Sequence, residues 1–280
     1  MQYKNLDLMK DPILTNHGDK PTHSELFLQD YPPTQAFAVV SWGCAATSWL
    51  AKILNSHPDI FCVHAFRSFC SILGNVAAID DLTYIKVIAS QGHAHKAAGD
   101  IHGIDRYNIQ AIRNAFGKRF NAVVVVRAPE PRLLSMLSLF ERYKSLKLWD
   151  TSFAKHLIGT YNLRLPSGTY EEEFFVHGAN MLNAIVDEQD VGSIYRCEDL
   201  TSHAETLGVF IEELTRGEVM PTREWLRLAV QCEKINKHRI DTKTSTFTDW
   251  QIEVMHKIVT PRAWDHYLQL GYKLPAWHKP

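Results

Sequence analysis

The stretch AFAVVSWGCAATSWLAKILN, residues 36–55, decides the fold. Ala36–Val40 is a short continuous apolar run, typical of a central parallel strand that is covered on both faces. From Thr47 the pattern becomes helical. Four apolar residues there fall on one stripe: Trp49, Leu50, Ile53 and Leu54. Pro58 ends the helix, because proline disfavours helix in the residue before it. The stretch therefore predicts a strand, a turn and a helix.

Working outward, four further stretches predict strands, and helical stretches separate them. They are Ile60–Val63, Ala97–Ile101, Asn121–Val126 and Gly192–Cys197. Strands that alternate with helices imply βαβ units, whose right-handed crossovers give a parallel sheet with helices on both sides. The predicted fold class is α/β: three layers, with a central parallel sheet of about five strands flanked by helices and a P-loop-like first turn.

The organisation of the 280-residue chain favours a single domain over residues 34–275. Residues 1–33 are polar and proline-containing, so they predict an N-terminal arm, and residues 276–280 form a short C-terminal tail. The last third reads as helices. Two of them have clear starts, because Thr169 with Glu172 and Thr248 with Gln251 match a capping box.

Composition excludes several classes of protein. Lysine plus arginine (30) nearly balances aspartate plus glutamate (31), so we expect no nucleic-acid partner. No segment reaches the roughly 20 apolar residues of a membrane span, and the first residues lack the apolar core of a signal peptide, so we expect no membrane partner. The cysteines are scattered, which favours reduced thiols in a soluble, cytoplasmic protein. They are Cys44, Cys62, Cys70, Cys197 and Cys232.

The turn after the first predicted strand has the composition of an anion cradle. Gly43, Ala45 and Ala46 are small, so the backbone can curl close to an anion and point its amides and the helix dipole at it. Thr47 and Ser48 add hydroxyl donors. No Gly-Lys-Ser/Thr follows, so the segment is not a Walker A motif. The alternative is a tight strand-to-helix turn that uses small residues for packing.

A second candidate segment, VVVVRAPEPRLLS, spans residues 123–135. Arg127 stands at the carboxyl end of the fourth predicted strand, and Pro131 suits the first turn of a following helix. A guanidinium at the strand end and the Ser135 hydroxyl on the helix can converge on one phosphate. The alternative is that Arg127 pairs with a nearby glutamate.

Together the two segments resemble the sulfotransferase family that uses 3′-phosphoadenosine 5′-phosphosulfate (PAPS). The family's first motif reads roughly G-R/K-S-G-T-T/S-W-L, and its second reads R-D/N-P followed by a helix serine at the spacing of Arg127 to Ser135. Three further segments resemble later parts of the family pattern: AAGDIHGIDRYN at 97–108, IYRCEDL at 194–200 and DHYLQLGY at 265–272. The resemblance covers about residues 36 to 274.

The resemblance implies PAPS as the donor substrate and a role for each matching segment. The first segment would hold the 5′-phosphosulfate through Gly43, Cys44, Ala45, Ala46, Thr47, Ser48 and Trp49. Arg127 and Ser135 would hold the 3′-phosphate. Cys197 stands where the family often has a tyrosine near the adenine, and Tyr195 is a second candidate for that contact. A late basic loop would close over the nucleotide, and its alternative is a solvated surface loop. Its candidates are Lys237, His238, Arg239 and Lys243.

Cys44 departs from the family pattern, which has lysine or arginine at this position. That residue helps to stabilise charge on the bridging oxygen, and losing one such contact can cost about 3 kcal/mol of barrier. Three explanations stay open. Another basic group compensates, the enzyme is slow, or the chain binds the nucleotide without catalysis. The candidates for a compensating group are Lys52, Arg67, Arg132 and the late loop.

Histidines supply the candidate general base. His102 follows the third predicted strand and can accept a hydroxyl proton near neutral pH, although a structural histidine is the alternative. His64 either lines the acceptor pocket or, as we favour, is a surface histidine. His93 and His95 lack a third ligand at suitable spacing, so we expect no metal site.

The sequence thus predicts an enzyme that moves a sulfuryl group from PAPS to a hydroxyl or amine of a small-molecule or glycan acceptor. One alternative is a catalytically impaired nucleotide-binding homologue of the sulfotransferases. A small-molecule kinase is another, and the missing P-loop lysine argues against it. The acceptor and the oligomeric state are left open by the sequence.

Overall fold

The computed structural model describes residues 31–41, 45–64, 81–101, 106–140, 151–188, 190–232 and 247–278. The described residues fall into two compact units. The first lies within Met1–Ser41, Ala46–Val125 and Val191–Glu233. The second lies within Trp42–Ala45, Val126–Asp190 and Lys234–Pro280. Most of the predicted N-terminal arm is outside the described residues, and the single domain over 34–275 stays a prediction.

The first unit is built on a five-stranded parallel sheet, flanked by helices, with the strand order β2-β3-β1-β4-β5. The strands are β1 (Gln35–Val40), β2 (Ile60–His64), β3 (Ala97–Ile101), β4 (Phe120–Val126) and β5 (Ile194–Arg196). β1 pairs in parallel with β3 from Gln35 opposite Ala97, and with β4 from Ala36 opposite Phe120. The predicted α/β class and parallel sheet are confirmed.

The middle of the sheet is buried on both faces. Every residue of β1 and β3 is buried, with Phe37 at 1% exposure, as expected for a parallel strand in a layered α/β protein. Gly99 of β3 lies opposite Phe37, and a Cβ there would approach the Phe37 carbonyl oxygen to 2.1 Å. The close fit of β3 on β1 therefore requires glycine at this position.

The fifth strand is shorter than predicted. It covers Ile194–Arg196, whereas the sequence predicted Gly192–Cys197. At Gly192 the backbone runs so close to β4 that a Cβ would meet the Ala122 carbonyl oxygen at 1.9 Å. At the other end Cys197 starts a helix whose first turn carries two acidic residues, which favour a helix N-terminus.

Helices account for most of the remaining described residues. In chain order they are α1 (Thr47–Asn55), α2 (Asp81–Ser90), α3 (Arg106–Phe116), α4 (Pro129–Leu137), α5 (Thr151–Thr160), α6 (Tyr170–Met181), α7 (Ile185–Glu188), α8 (Cys197–Leu200), α9 (Ala204–Leu214), α10 (Arg223–Gln231), α11 (Asp249–Ile258) and α12 (Pro261–Gln269), with 3₁₀ turns at Gln91–His93, Gly117–Arg119 and Leu182–Ala184. None of these helices is long and apolar enough to cross a membrane.

The predicted helix starts are confirmed. Thr169 caps α6 and Thr248 caps α11, each in a complete capping box. Helix α4 begins at Pro129 and has Pro131 in its first turn, where proline loses no hydrogen bond. In α1 the four residues of the predicted stripe are all buried, so this helix packs through the face that the sequence indicated.

A side-chain clamp joins α1 to β2. The Cys62 amide donates to Asn55 Oδ1 at 2.8 Å, and Asn55 Nδ2 donates to the Cys62 carbonyl oxygen. Asn55 is the last residue of α1, and the chain turns into β2 over residues 56–59. Helix and strand therefore run in opposite directions, and the start of α1 lies at the same end as the finish of β2.

We expect Asn55→Ala to lower the free energy of unfolding by about 1 to 2 kcal/mol, because the Cys62 backbone groups lose both partners. Urea denaturation followed by tryptophan fluorescence measures the change. Asn114→Ala is the matched control, since Asn114 is an exposed residue of α3 whose side chain contacts exposed Gln110. Equal effects of the two substitutions would show that the clamp contributes nothing.

Candidate functional site

The turn between β1 and α1 leaves the first amides of the helix without a side-chain cap. Ala46 is the N-cap residue and adopts the left-handed conformation, with φ 54° and ψ 25°. No side chain caps the helix among the described residues. For an L-residue other than glycine this backbone conformation costs about 1 to 2 kcal/mol. An uncapped helix start presents amide donors and a positive dipole end, so this turn can bind an anion.

Two hydroxyls stand at the same helix start, and a histidine contacts both. Thr47 is buried, with 6% exposure, and Ser48 is half-buried. His64 Nε2 lies 3.0 Å from Thr47 Oγ1 and 3.5 Å from Ser48 Oγ. His64 is itself half-buried at the end of β2, so it is only partly exposed at the surface. The antiparallel course of α1 and β2 brings these three side chains together.

The second predicted segment has the expected local structure. Arg127 directly follows β4 and is half-buried, and Ser135 lies on α4 with 4% exposure. The N-cap of α4, Ala128, makes no side-chain cap. The Arg127 guanidinium, the buried Ser135 hydroxyl and the start of α4 thus occur within nine residues of sequence. These are donor types that bind phosphate.

The basic residues that are candidates to compensate for the missing cation at position 44 differ in their surroundings. Arg132 is buried, with 6% exposure, and its Nη1 donates to Tyr267 Oη of α12 at 3.4 Å. Its Nη2 has no hydrogen-bond partner within the described part of the chain. Lys52 is exposed on α1, as expected for a side chain that points away from the helix start. Arg67 lies outside the described residues.

Three predicted nucleotide contacts are engaged in packing. The Tyr195 hydroxyl donates to the Glu213 carboxylate, and burial followed by this carboxylate raises the pKa of Tyr195. Its ring packs edge-on against Phe210, with the ring centroids 5.1 Å apart. Trp49 is 1% exposed in the core, and Cys197 is 6% exposed at the start of α8. Their contact with adenine or phosphate stays a prediction.

Several predicted residues lie outside the described residues, and their roles stay predictions. These are Gly43, Cys44, His102, Lys237, His238, Arg239 and Lys243. Of the two histidines weighed as metal ligands, His95 directs Nδ1 at the Pro58 carbonyl oxygen, 3.1 Å away. Across the ranges that the structure describes, no group of three His, Cys, Asp or Glu side chains is arranged to hold a metal.

Comparison with known proteins gives matches among solved structures. The sulfotransferase domain from the curacin biosynthetic pathway is 13% identical, with a TM-score of 0.46, and the match covers 88% of this chain and 100% of that chain. Mouse sulfotransferase SULT7A1, complexed with PAP, is 13% identical, with a TM-score of 0.39 and coverage of 89% and 88%. No family model and no curated protein matches the chain.

We expect the left-handed turn at Ala46 to tolerate Ala46→Gly and to resist Ala46→Val. Glycine adopts this conformation freely, so the free energy of unfolding should stay within about 1 kcal/mol of the wild-type value. A β-branched side chain is strained there, and valine should cost about 1 to 3 kcal/mol. Urea denaturation of both variants measures the difference. Equal stabilities would mean that residue 46 is not left-handed in solution.

Proposed function

We propose that this chain is a sulfotransferase that moves a sulfuryl group from PAPS to a hydroxyl or amine of a small-molecule or glycan acceptor. The acceptor oxygen or nitrogen attacks sulfur in line. A bond from sulfur to the acceptor forms as the bond from sulfur to the bridging phosphate oxygen breaks. The acceptor loses one proton, and 3′-phosphoadenosine 5′-phosphate (PAP) leaves. Catalysis then depends on positioning and electrostatic stabilisation.

One observation carries the proposal. β1 and β4 are adjacent parallel strands, paired from Ala36 opposite Phe120 to Val40 opposite Val124, and their carboxyl ends point to the same edge of the sheet. In sequence, β1 is followed by the uncapped turn at Ala46, and β4 is followed by Arg127. Ligands of open α/β sheets bind beyond the carboxyl ends of the strands. The two predicted anion segments thus follow the strand ends where the fold class binds nucleotides.

Each segment suits one end of the donor. The amides at the start of α1, with Thr47 and Ser48, provide neutral donors for the 5′-phosphosulfate, whose bridging oxygen gains charge as sulfur departs. Arg127 provides a permanent charge and Ser135 a hydroxyl for the 3′-phosphate, which distinguishes PAPS from ordinary adenine nucleotides. In this proposal His102 takes the proton of the acceptor.

The proposal places the reaction in the cytoplasm. Cys62, Cys197 and Cys232 are free thiols in the part of the chain that the structure describes, which fits a reducing compartment. Burial, followed by the charge of Asp100, raises the pKa of the Cys62 thiol well above its usual range, so this side chain stays neutral in the core.

We expect Arg127→Ala to weaken PAP binding by about 10- to 100-fold, because a charged hydrogen-bonding partner of the 3′-phosphate is lost. The affinity for AMP, which has no 3′-phosphate, should not change. Isothermal titration of both nucleotides measures the two affinities. The ratio of PAP to AMP affinity is the informative quantity, since it isolates the 3′-phosphate.

Arg262→Ala is the matched control, because Arg262 is an exposed arginine of α12. It should leave both affinities at their wild-type values. A wild-type protein that fails to prefer PAP over AMP, or an Arg127→Ala variant that keeps the preference, would refute the assignment of the 3′-phosphate to Arg127.

A nucleotide-binding protein without transferase activity is the second candidate, and Cys44 favours it. The family pattern has a cation at this position, and cysteine cannot supply one. Incubation of the protein with ³⁵S-labelled PAPS and a panel of hydroxyl, amine and glycan acceptors separates the two candidates. Label on any acceptor supports the enzyme, and tight PAP binding without transfer supports the second candidate.

A further inference from the structure

His64 belongs to the same compact unit as the start of α1, although 16 residues separate it from Ser48 in sequence. The Asn55 clamp holds the end of α1 to the middle of β2, two residues before His64. Thr47 is buried beside the imidazole. The 3.0 Å distance from His64 Nε2 to Thr47 Oγ1 is therefore set by backbone elements and does not depend on a flexible surface contact.

The direction of the hydrogen bond between His64 Nε2 and Thr47 Oγ1 determines whether the Thr47 hydroxyl can donate to a bound anion. A threonine hydroxyl has one hydrogen to donate and two lone pairs that accept. If His64 Nε2 accepted that hydrogen, the Thr47 hydroxyl would turn only lone pairs toward an anion. If Nε2 carries a proton and donates it to Oγ1, the hydroxyl hydrogen is free to point at the anion. The second arrangement also polarises the hydroxyl and strengthens its donation.

We propose that His64 is a positioning residue that donates from Nε2 to Thr47 Oγ1 and so directs the Thr47 hydroxyl hydrogen at the phosphosulfate end of the donor nucleotide. Ser48 Oγ, at 3.5 Å, is a secondary partner of the same nitrogen. This inference rests on the proposed function. It gives the helix start an additional donor in a chain that has Cys44 where the family pattern has a cation.

The variants His64→Ala and His64→Gln test the proposal. The amide nitrogen of glutamine reaches about as far from the backbone as imidazole Nε2 and is always a donor. We expect His64→Ala to weaken PAP binding about tenfold and His64→Gln to keep it within about threefold of wild type. Isothermal titration measures both affinities, and urea denaturation shows whether each variant is folded.

His95→Ala is the matched control. His95 lies in the same unit, is half-buried like His64, and contacts the Pro58 carbonyl oxygen before β2 begins, away from the start of α1. Its loss should leave PAP affinity unchanged. A general effect of removing a histidine from this unit would instead weaken binding in both alanine variants, and that result would overturn the proposal.

A double-mutant cycle separates positioning from simple packing. Thr47→Val removes the hydroxyl and keeps the shape, so it should weaken PAP binding by itself. If His64 acts through Thr47, adding His64→Ala to Thr47→Val should cause no further loss. A further tenfold loss in the double variant would show that His64 acts by another route and would refute the proposal.

Nitrogen-15 spectra of the wild-type protein with labelled histidine give a test that needs no variant. His64 Nε2 should show the signature of a proton-bearing nitrogen in the PAP complex, because only the Nε2-protonated neutral tautomer and the imidazolium can donate to Thr47. A lone-pair signature at Nε2 in the complex would overturn the proposal.

The possible failures are distinguishable. A wild-type protein that does not bind PAP refutes the proposed function, and with it the role of His64. If the wild-type protein binds PAP and His64→Ala binds it equally well, the proposed function stands and only the positioning role is refuted.

Discussion

Strand β1 pairs along both of its edges, with β3 on one side and β4 on the other, and all six of its residues are buried. Because β1 and the next strand, β2, are both parallel to β3, the chain must cross back over the sheet between them, and α1 provides this crossover. The left-handed conformation of Ala46 lies at the turn after β1, and α1 starts immediately after it. The first amides of α1 have no side-chain cap from this residue, because alanine has no side-chain acceptor.

The sequence predicted the fold well where the signal was local. Ala36–Val40 and the core of β4 are continuous apolar runs, which the burial of a parallel sheet demands, and both were placed correctly. The two capping boxes were also predictable, because each consists of two residues three positions apart whose side chains accept hydrogen bonds from backbone amides of the helix start. The length of β5 was overestimated, because a short helix begins at Cys197, a residue that the sequence assigned to the strand.

The candidate site was predictable in part for the same reason. Small residues and hydroxyls after β1, and an arginine after β4, are visible in the sequence because each belongs to one turn. The contact of His64 with Thr47 is not visible in the sequence, because it depends on the turn at 56–59 and on the Asn55 clamp, which align β2 with α1. Tyr195 shows the opposite case. The sequence shows that Tyr195 lies in a family-like motif. Its hydrogen bond to the Glu213 carboxylate depends on the packing of α9 against β5, which the sequence does not show.

The donors at the start of α1 are amides and hydroxyls, joined in our proposal by the His64 imidazole, and the helix end adds about half a positive charge. Such dipoles hold an anion in the ground state, so nucleotide affinity does not require a cation at position 44. The leaving oxygen gains charge only during transfer, and there the absence of a cation can cost about 3 kcal/mol. In the proposed function, binding and turnover would therefore depend on different groups, and Cys44 weakens the case for catalysis without weakening the case for a nucleotide site.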